Sequence, residues 1–147
     1  REVSAVPTNE EYESLKAQKR EVQIKYNDAL DRIEECDYKI ARLKRTKATL
    51  TEQKCAFAVI KKDDESIIDQ KKRSEWSGNR YSDFCAAGND MVDVNEMFYS
   101  KSLDHALDAV NDEITRLQNL KHNEHGLLGR LASKINSLAN RIENFFN

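Results

Sequence analysis

The side chains best suited to metal-assisted chemistry lie in the segment "KHNEHG", which holds His122, Glu124 and His125. The two histidines are three residues apart, whereas the helical zinc-protease motif needs a spacing of four, and no third ligand is evident. We interpret the cluster as solvated polar residues at a weak point of a helix. The competing hypothesis is a zinc enzyme built on the two histidines.

Other candidate sites for catalysis or cofactor binding are incomplete in this sequence. Segment 63–69 is acidic but lacks the spacing of an EF-hand, and no glycine-rich phosphate loop is present. Cys36, Cys55 and Cys85 are odd in number and unpaired in spacing, so we predict free thiols in a reducing compartment. Cys85 has no neighbouring base that would make it a nucleophile. We therefore predict no enzyme, no catalytic residue, no cofactor and no metal.

The bulk composition indicates one helical domain. The chain has 147 residues, of which 34% are charged, with one proline and four glycines. The formal net charge of -2 argues against a nucleic-acid binder, which would usually be basic. No apolar stretch approaches the roughly 18 residues of a membrane-spanning helix, and no apolar signal-peptide core begins the sequence. We expect a cytoplasmic protein without a membrane span.

A seven-residue repeat predicts a long first helical arm at residues 10–60. One series of this repeat is apolar throughout: Leu15, Val22, Ala29, Cys36, Leu43, Leu50 and Phe57. A companion series is apolar only in part, because lysines interrupt it. Such a repeat places one stripe of a helix against a partner helix. Residues 1–9 have no periodicity and are predicted to be a flexible N-terminus, with Thr8 or Asn9 as the helix cap.

The same repeat predicts a second arm at residues 81–146. Its two series are Leu103, Val110, Leu117, Glu124, Leu131, Leu138 and Phe145, and Leu107, Ile114, Lys121, Leu128, Ile135 and Ile142. The phase is unchanged across Gly126 and Gly129, so we predict one helix with a soft spot at 122–129. The step of five residues from Phe98 to Leu103 breaks the repeat, which predicts a stutter or bend near 98–103.

These arms predict an all-α fold, an elongated antiparallel coiled-coil-like helical hairpin whose connector is residues 61–80. Two helices bury only one seam, so some apolar residues must face elsewhere. Those off the seam include Leu30, Leu120, Leu127 and Phe146. They are either isolated surface hydrophobic residues, which are normal, or a second seam for a partner helix.

The connector and the residues after it contain "EWSGNRYSDF", with Trp76, Gly78, Tyr81 and Phe84. Placed between two heptad arms, this stretch resembles the Trp-x-Gly helical hairpin proteins of Gram-positive type VII secretion. The layout is most similar to the small helical companions of LXG-domain toxins, over roughly residues 12–146. The resemblance implies a targeting chaperone that binds the helical N-terminal domain of a toxin, together with a second small helical protein, and presents it to the secretion machinery.

The resemblance and the residues off the seam together define the predicted protein-binding residues. They are Trp76, Gly78, Tyr81, Phe84, Leu120, Leu127, Phe145 and Phe146. A tryptophan supplies a large apolar face, and a glycine permits a tight turn. The alternative is that the tryptophan only plugs the hairpin end, in a structural coiled-coil protein that mediates homo- or hetero-dimerisation.

The sequence departs from the family in its export signal. That signal is an aromatic residue followed four residues later by an acidic one, and no Tyr or Phe here has such a partner. Phe145 or Phe146 begins the signal only if the native chain continues past Asn147. We therefore expect either a C-terminus truncated before the signal, or a protein that guides export, or leaves with its cargo, without a complete signal of its own.

Overall fold

The computed structural model describes residues 8–73 and 79–147, and the side chains of 8–68 and 82–147. Over these ranges the backbone is helical almost throughout, and no β-strand occurs in them. The predictions of an all-α fold and of a helical hairpin are confirmed. Trp76 and Gly78, which we expected to mark the connector, lie outside the described residues.

Three α-helices and one π-helical segment make up the described chain. They are α1 (Asn9–Arg73), α2 (Asn79–Asn95), the π-helical segment (Glu96–Lys101) and α3 (Ser102–Glu143). Helix α1 continues through residues 61–73, which the sequence assigned to the connector. Helix α3 passes through Gly126 and Gly129 without a break, as the unchanged phase of the repeat predicts.

Helix α1 begins with a reciprocal cap at Thr8. The backbone N–H of Glu11 donates to the Thr8 hydroxyl at 3.2 Å, and the backbone N–H of Thr8 lies 3.5 Å from a carboxylate oxygen of Glu11. This is the capping-box arrangement, which satisfies backbone donors that the first turn of a helix leaves free. Of the two predicted caps, Thr8 is the one that acts.

The chain divides into two compact units. The terminal unit comprises Arg1–Ile40 and Arg116–Asn147, and the central unit comprises Ala41–Thr115. In each unit a segment of α1 packs antiparallel against a segment of the second arm, as the ion pairs Arg32–Glu124 and Asp37–Lys121 show for the terminal unit.

The core of the terminal unit is built from the predicted heptad positions. Leu15, Val22 and Leu138 form a buried cluster. Partly buried apolar residues of the second arm pack against this cluster, namely Leu131, Ile135, Ile142 and Phe145. Further along α1, Ala29 is completely buried. Burial of each aliphatic side chain contributes about 1.5–3 kcal/mol, so this seam stabilises the unit.

In the central unit α1 packs closely against α2 at a glycine, Gly88. A Cβ atom added to Gly88 would lie 2.9 Å from Cδ1 and 3.0 Å from Cγ1 of Ile68, which is itself buried. The absence of a side chain at Gly88 therefore allows Ile68 to pack against the α2 backbone. The step of five residues from Phe98 to Leu103 falls on the π-helical segment, whose wider turn accommodates the phase change without a loop.

Candidate protein-binding surface

The predicted binding residues fall into three groups in the structure. Trp76 and Gly78 lie outside the described residues, as does the side chain of Tyr81. Phe84 belongs to the central unit and is half-buried. The other four residues, Leu120, Leu127, Phe145 and Phe146, belong to the terminal unit.

An aromatic cluster in the terminal unit contains two of the predicted binding residues, Phe145 and Phe146. The Tyr12 ring lies 5.5 Å from the Phe145 ring and 5.1 Å from the Phe146 ring, centre to centre. Lys16 places its ammonium 5.0 Å from the centre of the Tyr12 ring. Phe145 is half-buried on the Leu15 cluster, whereas Phe146 is 62% exposed. Phe145 therefore contributes to the core, and only Phe146 offers an open apolar surface.

Leu120 and Leu127 share one face of α3, because they are seven residues apart. Leu120 is exposed and Leu127 is half-buried. Leu30 on α1 is also exposed. Leu120 and Leu127 thus lie on α3 and Leu30 on α1, and single exposed apolar side chains of this kind are normal on a protein surface.

Two polar residues interrupt the heptads of α3, and each pairs with a residue of α1. Glu124 accepts from Nε of Arg32 at 2.9 Å and from Nη2 at 3.1 Å. This bidentate hydrogen bond raises the pKa of Arg32. Lys121 lies 2.6 Å from a carboxylate oxygen of Asp37. The polar interruptions are thus explained as cross-helix pairs that fix the alignment of the two helices.

The segment "KHNEHG" supplies no assembled ligand set among the described residues. Glu124 is engaged by Arg32, and His122 and His125 are exposed. Within the described ranges no group of three His, Cys, Asp or Glu side chains is placed to hold a metal ion. Cys36, Cys55 and Cys85 are free thiols.

The central unit displays a set of exposed apolar side chains that the sequence analysis missed. They include Ile60, Ile67, Met91, Val94 and Phe98, each between 45% and 64% exposed. The spacing was present in the sequence, because Ile60 and Ile67, and likewise Met91 and Phe98, are seven residues apart. This spacing alone does not distinguish an exposed surface from an internal seam, and the main heptad series runs through Phe57 instead.

Four of these side chains, all except Val94, line one of two cavities of the central unit. The first, of about 430 Å³, is lined by Gln53, Ala56, Phe57, Ile60, Phe98, Tyr99, Ser102 and Leu103. The second, of about 250 Å³, is lined by Asp64, Ile67, Ile68, Phe84, Ala87, Gly88 and Met91. Since Ile60 and Ile67 share one face of α1, the two cavities follow one another along one side of the unit, and we call them together the apolar groove.

The opposite side of the central unit is polar and already paired. There a smaller cavity of about 170 Å³ is bordered by Lys54, Lys61 and Glu96. Lys61 contacts Glu96 at 3.1 Å, and Lys54 donates to Asp104, a hydrogen bond that raises the pKa of Lys54. Between the two sides, Phe57 stacks on Tyr99 with ring centres 3.6 Å apart. The two sides of this helix pair therefore differ in the charged side chains that border them.

Comparisons of the chain with protein-family models, with curated proteins and with solved structures return no match. Among the described residues no helix is both long and apolar enough to span a membrane.

Proposed function

We propose that this chain is a non-enzymatic adaptor that binds a helical segment of another protein. The observation that carries the proposal is the apolar groove of the central unit, where exposed Ile60, Ile67, Met91 and Phe98 line two cavities. Exposed apolar residues clustered in a concave surface favour a protein partner, because covering them removes apolar area from water.

The helical architecture favours a helical partner. A helix pair satisfies its own backbone hydrogen bonds, so it offers no free edge to which an extended peptide could add as a strand. An amphipathic helix satisfies its backbone internally and needs only apolar anchors at intervals of three, four and seven residues. A groove between two helices accepts such anchors.

The identity of the partner is proposed from the resemblance of the sequence to a family of secretion proteins. "EWSGNRYSDF" between two heptad arms resembles the companions of LXG toxins, so we propose the helical N-terminal domain of a type VII-secreted LXG toxin as the partner. In that role the chain would act as a targeting chaperone, with Trp76 and Gly78 as part of the surface that the secretion machinery contacts.

Co-expression with the helical domain of an LXG toxin encoded beside this chain tests the proposal. We expect the two proteins to elute together in size-exclusion chromatography, with a mass by light scattering that equals a hetero-complex. Deletion of the chain should reduce export of the toxin. A matched toxin domain from an unrelated locus serves as the control.

A chain that stays a monomer, binds no such domain and is dispensable for toxin export would exclude the adaptor function. A symmetric homodimer that is unchanged by Trp76→Ala and does not bind the domain would instead support a structural coiled-coil protein. The two results differ in the mass measured for the chain alone.

A further inference from the structure

We infer that the partner helix of the apolar groove is basic, with an apolar stripe flanked by lysine or arginine. This inference rests on the proposed adaptor function and specifies the chemistry of its partner. It follows from the exposed charges that flank the groove on α1 and α2, which are acidic, whereas Lys101 flanks it at the end of the π-helical segment, beyond Phe98.

The border of the groove on α1 carries carboxylates. Glu52 lies one helical turn before Ala56, and Asp63 lies between Ile60 and Ile67, three residues from one and four from the other. Residues three and four apart are neighbours on a helix surface, so both exposed carboxylates flank the apolar positions.

The border on α2 has the same sign. Asp83 lies four residues before Ala87, and Asp90 lies three residues after it and four before Val94. Both are exposed, and segment 83–98 contains no lysine or arginine. The acidic rim of the groove therefore comprises Glu52, Asp63, Asp83 and Asp90.

The basic residues of this part of α1 point away from the groove. Lys54 and Lys61 border the cavity on the opposite side and pair with Asp104 and Glu96. Lys62 follows Ala58 by four residues, and Ala58 borders that same opposite cavity. No basic side chain of α1 residues 52–68 therefore neutralises the acidic rim.

An apolar floor with an acidic rim selects against a second copy docking by the same groove. Two copies would bring their acidic rims together, and like charges across an interface oppose association. A helix with basic flanks places its charges against the rim while its apolar stripe covers Ile60, Ile67, Met91 and Phe98. From Ile60 to Ile67 the groove extends by about 10.5 Å, so a partner helix of a few turns spans it.

Two synthetic peptides of about 18 residues, or five helical turns, probe the groove on the full chain. Both carry the same leucine stripe, and one has lysine at the flanking positions where the other has glutamate. Fluorescence anisotropy should show that the lysine peptide binds at least about tenfold more tightly than the glutamate peptide, with the difference decreasing as salt is added. Equal binding of the two peptides would overturn the inference.

Charge variants then locate the binding site. Neutralising the rim by Glu52→Gln, Asp63→Asn, Asp83→Asn and Asp90→Asn should weaken binding of the lysine peptide by about tenfold or more. The control variant neutralises four other exposed carboxylates, by Asp31→Asn, Glu34→Gln, Glu65→Gln and Asp112→Asn. The two variants have the same net charge, so equal losses would show attraction to the whole chain and would contradict a groove site.

Apolar variants provide a second matched pair. Ile60→Ser with Phe98→Ser removes the floor of the groove, whereas Val59→Ser with Met97→Ser removes exposed apolar residues next to them that do not border either cavity. Only the first pair should weaken peptide binding, and circular dichroism confirms that both variants remain helical. Self-association that is lost only in the first pair would assign the groove to a second copy and overturn the inference.

The outcome separates this inference from the adaptor proposal. If the toxin domain binds the chain and the rim variant leaves that binding unchanged, the groove chemistry is wrong and the adaptor proposal stands. If the lysine peptide binds through the rim but no toxin domain binds, the groove chemistry stands and the proposed partner is wrong.

Discussion

The terminal and central units use the same heptad repeat with different results. Among the side chains that the structure describes, eight of the ten buried apolar residues belong to the terminal unit, and Ile68 and Ile114 belong to the central unit. Thirteen large apolar side chains within the described ranges 8–68 and 82–147 are exposed, and eight of these lie in the central unit, between Val59 and Tyr99. The described part of the terminal unit thus buries most of its apolar repeat, whereas the described part of the central unit leaves more of its apolar side chains exposed.

The cause is visible in the companion series of α1. This series lies three residues before each member of the main one, and in the terminal unit it includes the buried Ile33 and Ile40 and one lysine, Lys19. In the central unit it continues with Lys47 and Lys54, which are both exposed. With lysine at these positions, only one series remains apolar, and its members Leu43, Leu50 and Phe57 are half-buried. A single apolar series buries less of each helix, which leaves Ile60 and Ile67 outside the seam.

The largest effect that we predict comes from truncating the core of the terminal unit. Leu138→Ala removes a side chain that is 3% exposed in the Leu15–Val22 cluster, so the free energy of unfolding should fall by about 2–5 kcal/mol. Leu103→Ala in the central unit removes a half-buried side chain and should cost less. Urea unfolding followed by circular dichroism measures both values, and equal losses would refute the difference between the units.

The fold was predictable because it depends on the seven-residue periodicity of apolar side chains. The groove was not, because it depends on apolar residues that lie outside that repeat. The seven-residue spacing identified the buried Leu15, Val22, Leu117 and Leu138 directly. Whether Ile60 is covered depends on the partner surface of the second arm and on the π-helical segment, which shifts the phase there. A repeat within one helix carries no information on such a pairing.

The next largest difference between the units should be the effect of replacing a helical glycine by alanine on the free energy of unfolding. Gly129 has open space where a Cβ would stand, so Gly129→Ala should raise the free energy of unfolding by about 1 kcal/mol through helix propensity. Gly88→Ala should raise the free energy of unfolding by less than this, or lower it. Its Cβ would lie 2.9 Å from Ile68 Cδ1, so Ile68 must shift. Thermal unfolding compares the two variants. A gain at Gly88 equal to that at Gly129 would show that Ile68 has room to move.

A smaller effect concerns the ion pairs between the helices. Arg32 and Glu124 in the terminal unit share two hydrogen bonds, and the Glu124 side chain is 13% exposed. Lys61 and Glu96 in the central unit share one contact, and the Glu96 side chain is 55% exposed. Double-mutant cycles with alanine should therefore give a larger coupling for Arg32–Glu124, and both couplings should decrease with salt. A larger coupling for Lys61–Glu96 would reverse the comparison.

The smallest effect is the pH dependence of the Glu35–Lys39 pair within α1. The hydrogen bond from Lys39, at 2.8 Å, lowers the pKa of Glu35 below its usual value of about 4.3. A carboxyl whose pKa is lower in the folded state contributes stability above its unfolded pKa, and loses that contribution as the pH falls through the folded pKa. Lys39→Ala should raise the pKa of Glu35 measured by NMR titration, and Lys44→Ala should leave it unchanged.

Because both partners belong to one helix, this effect should not depend on packing between the helices, unlike the raised pKa of Lys54, which needs Asp104 of α3. A Glu35 pKa that does not respond to Lys39→Ala would show that the pair is not formed in solution.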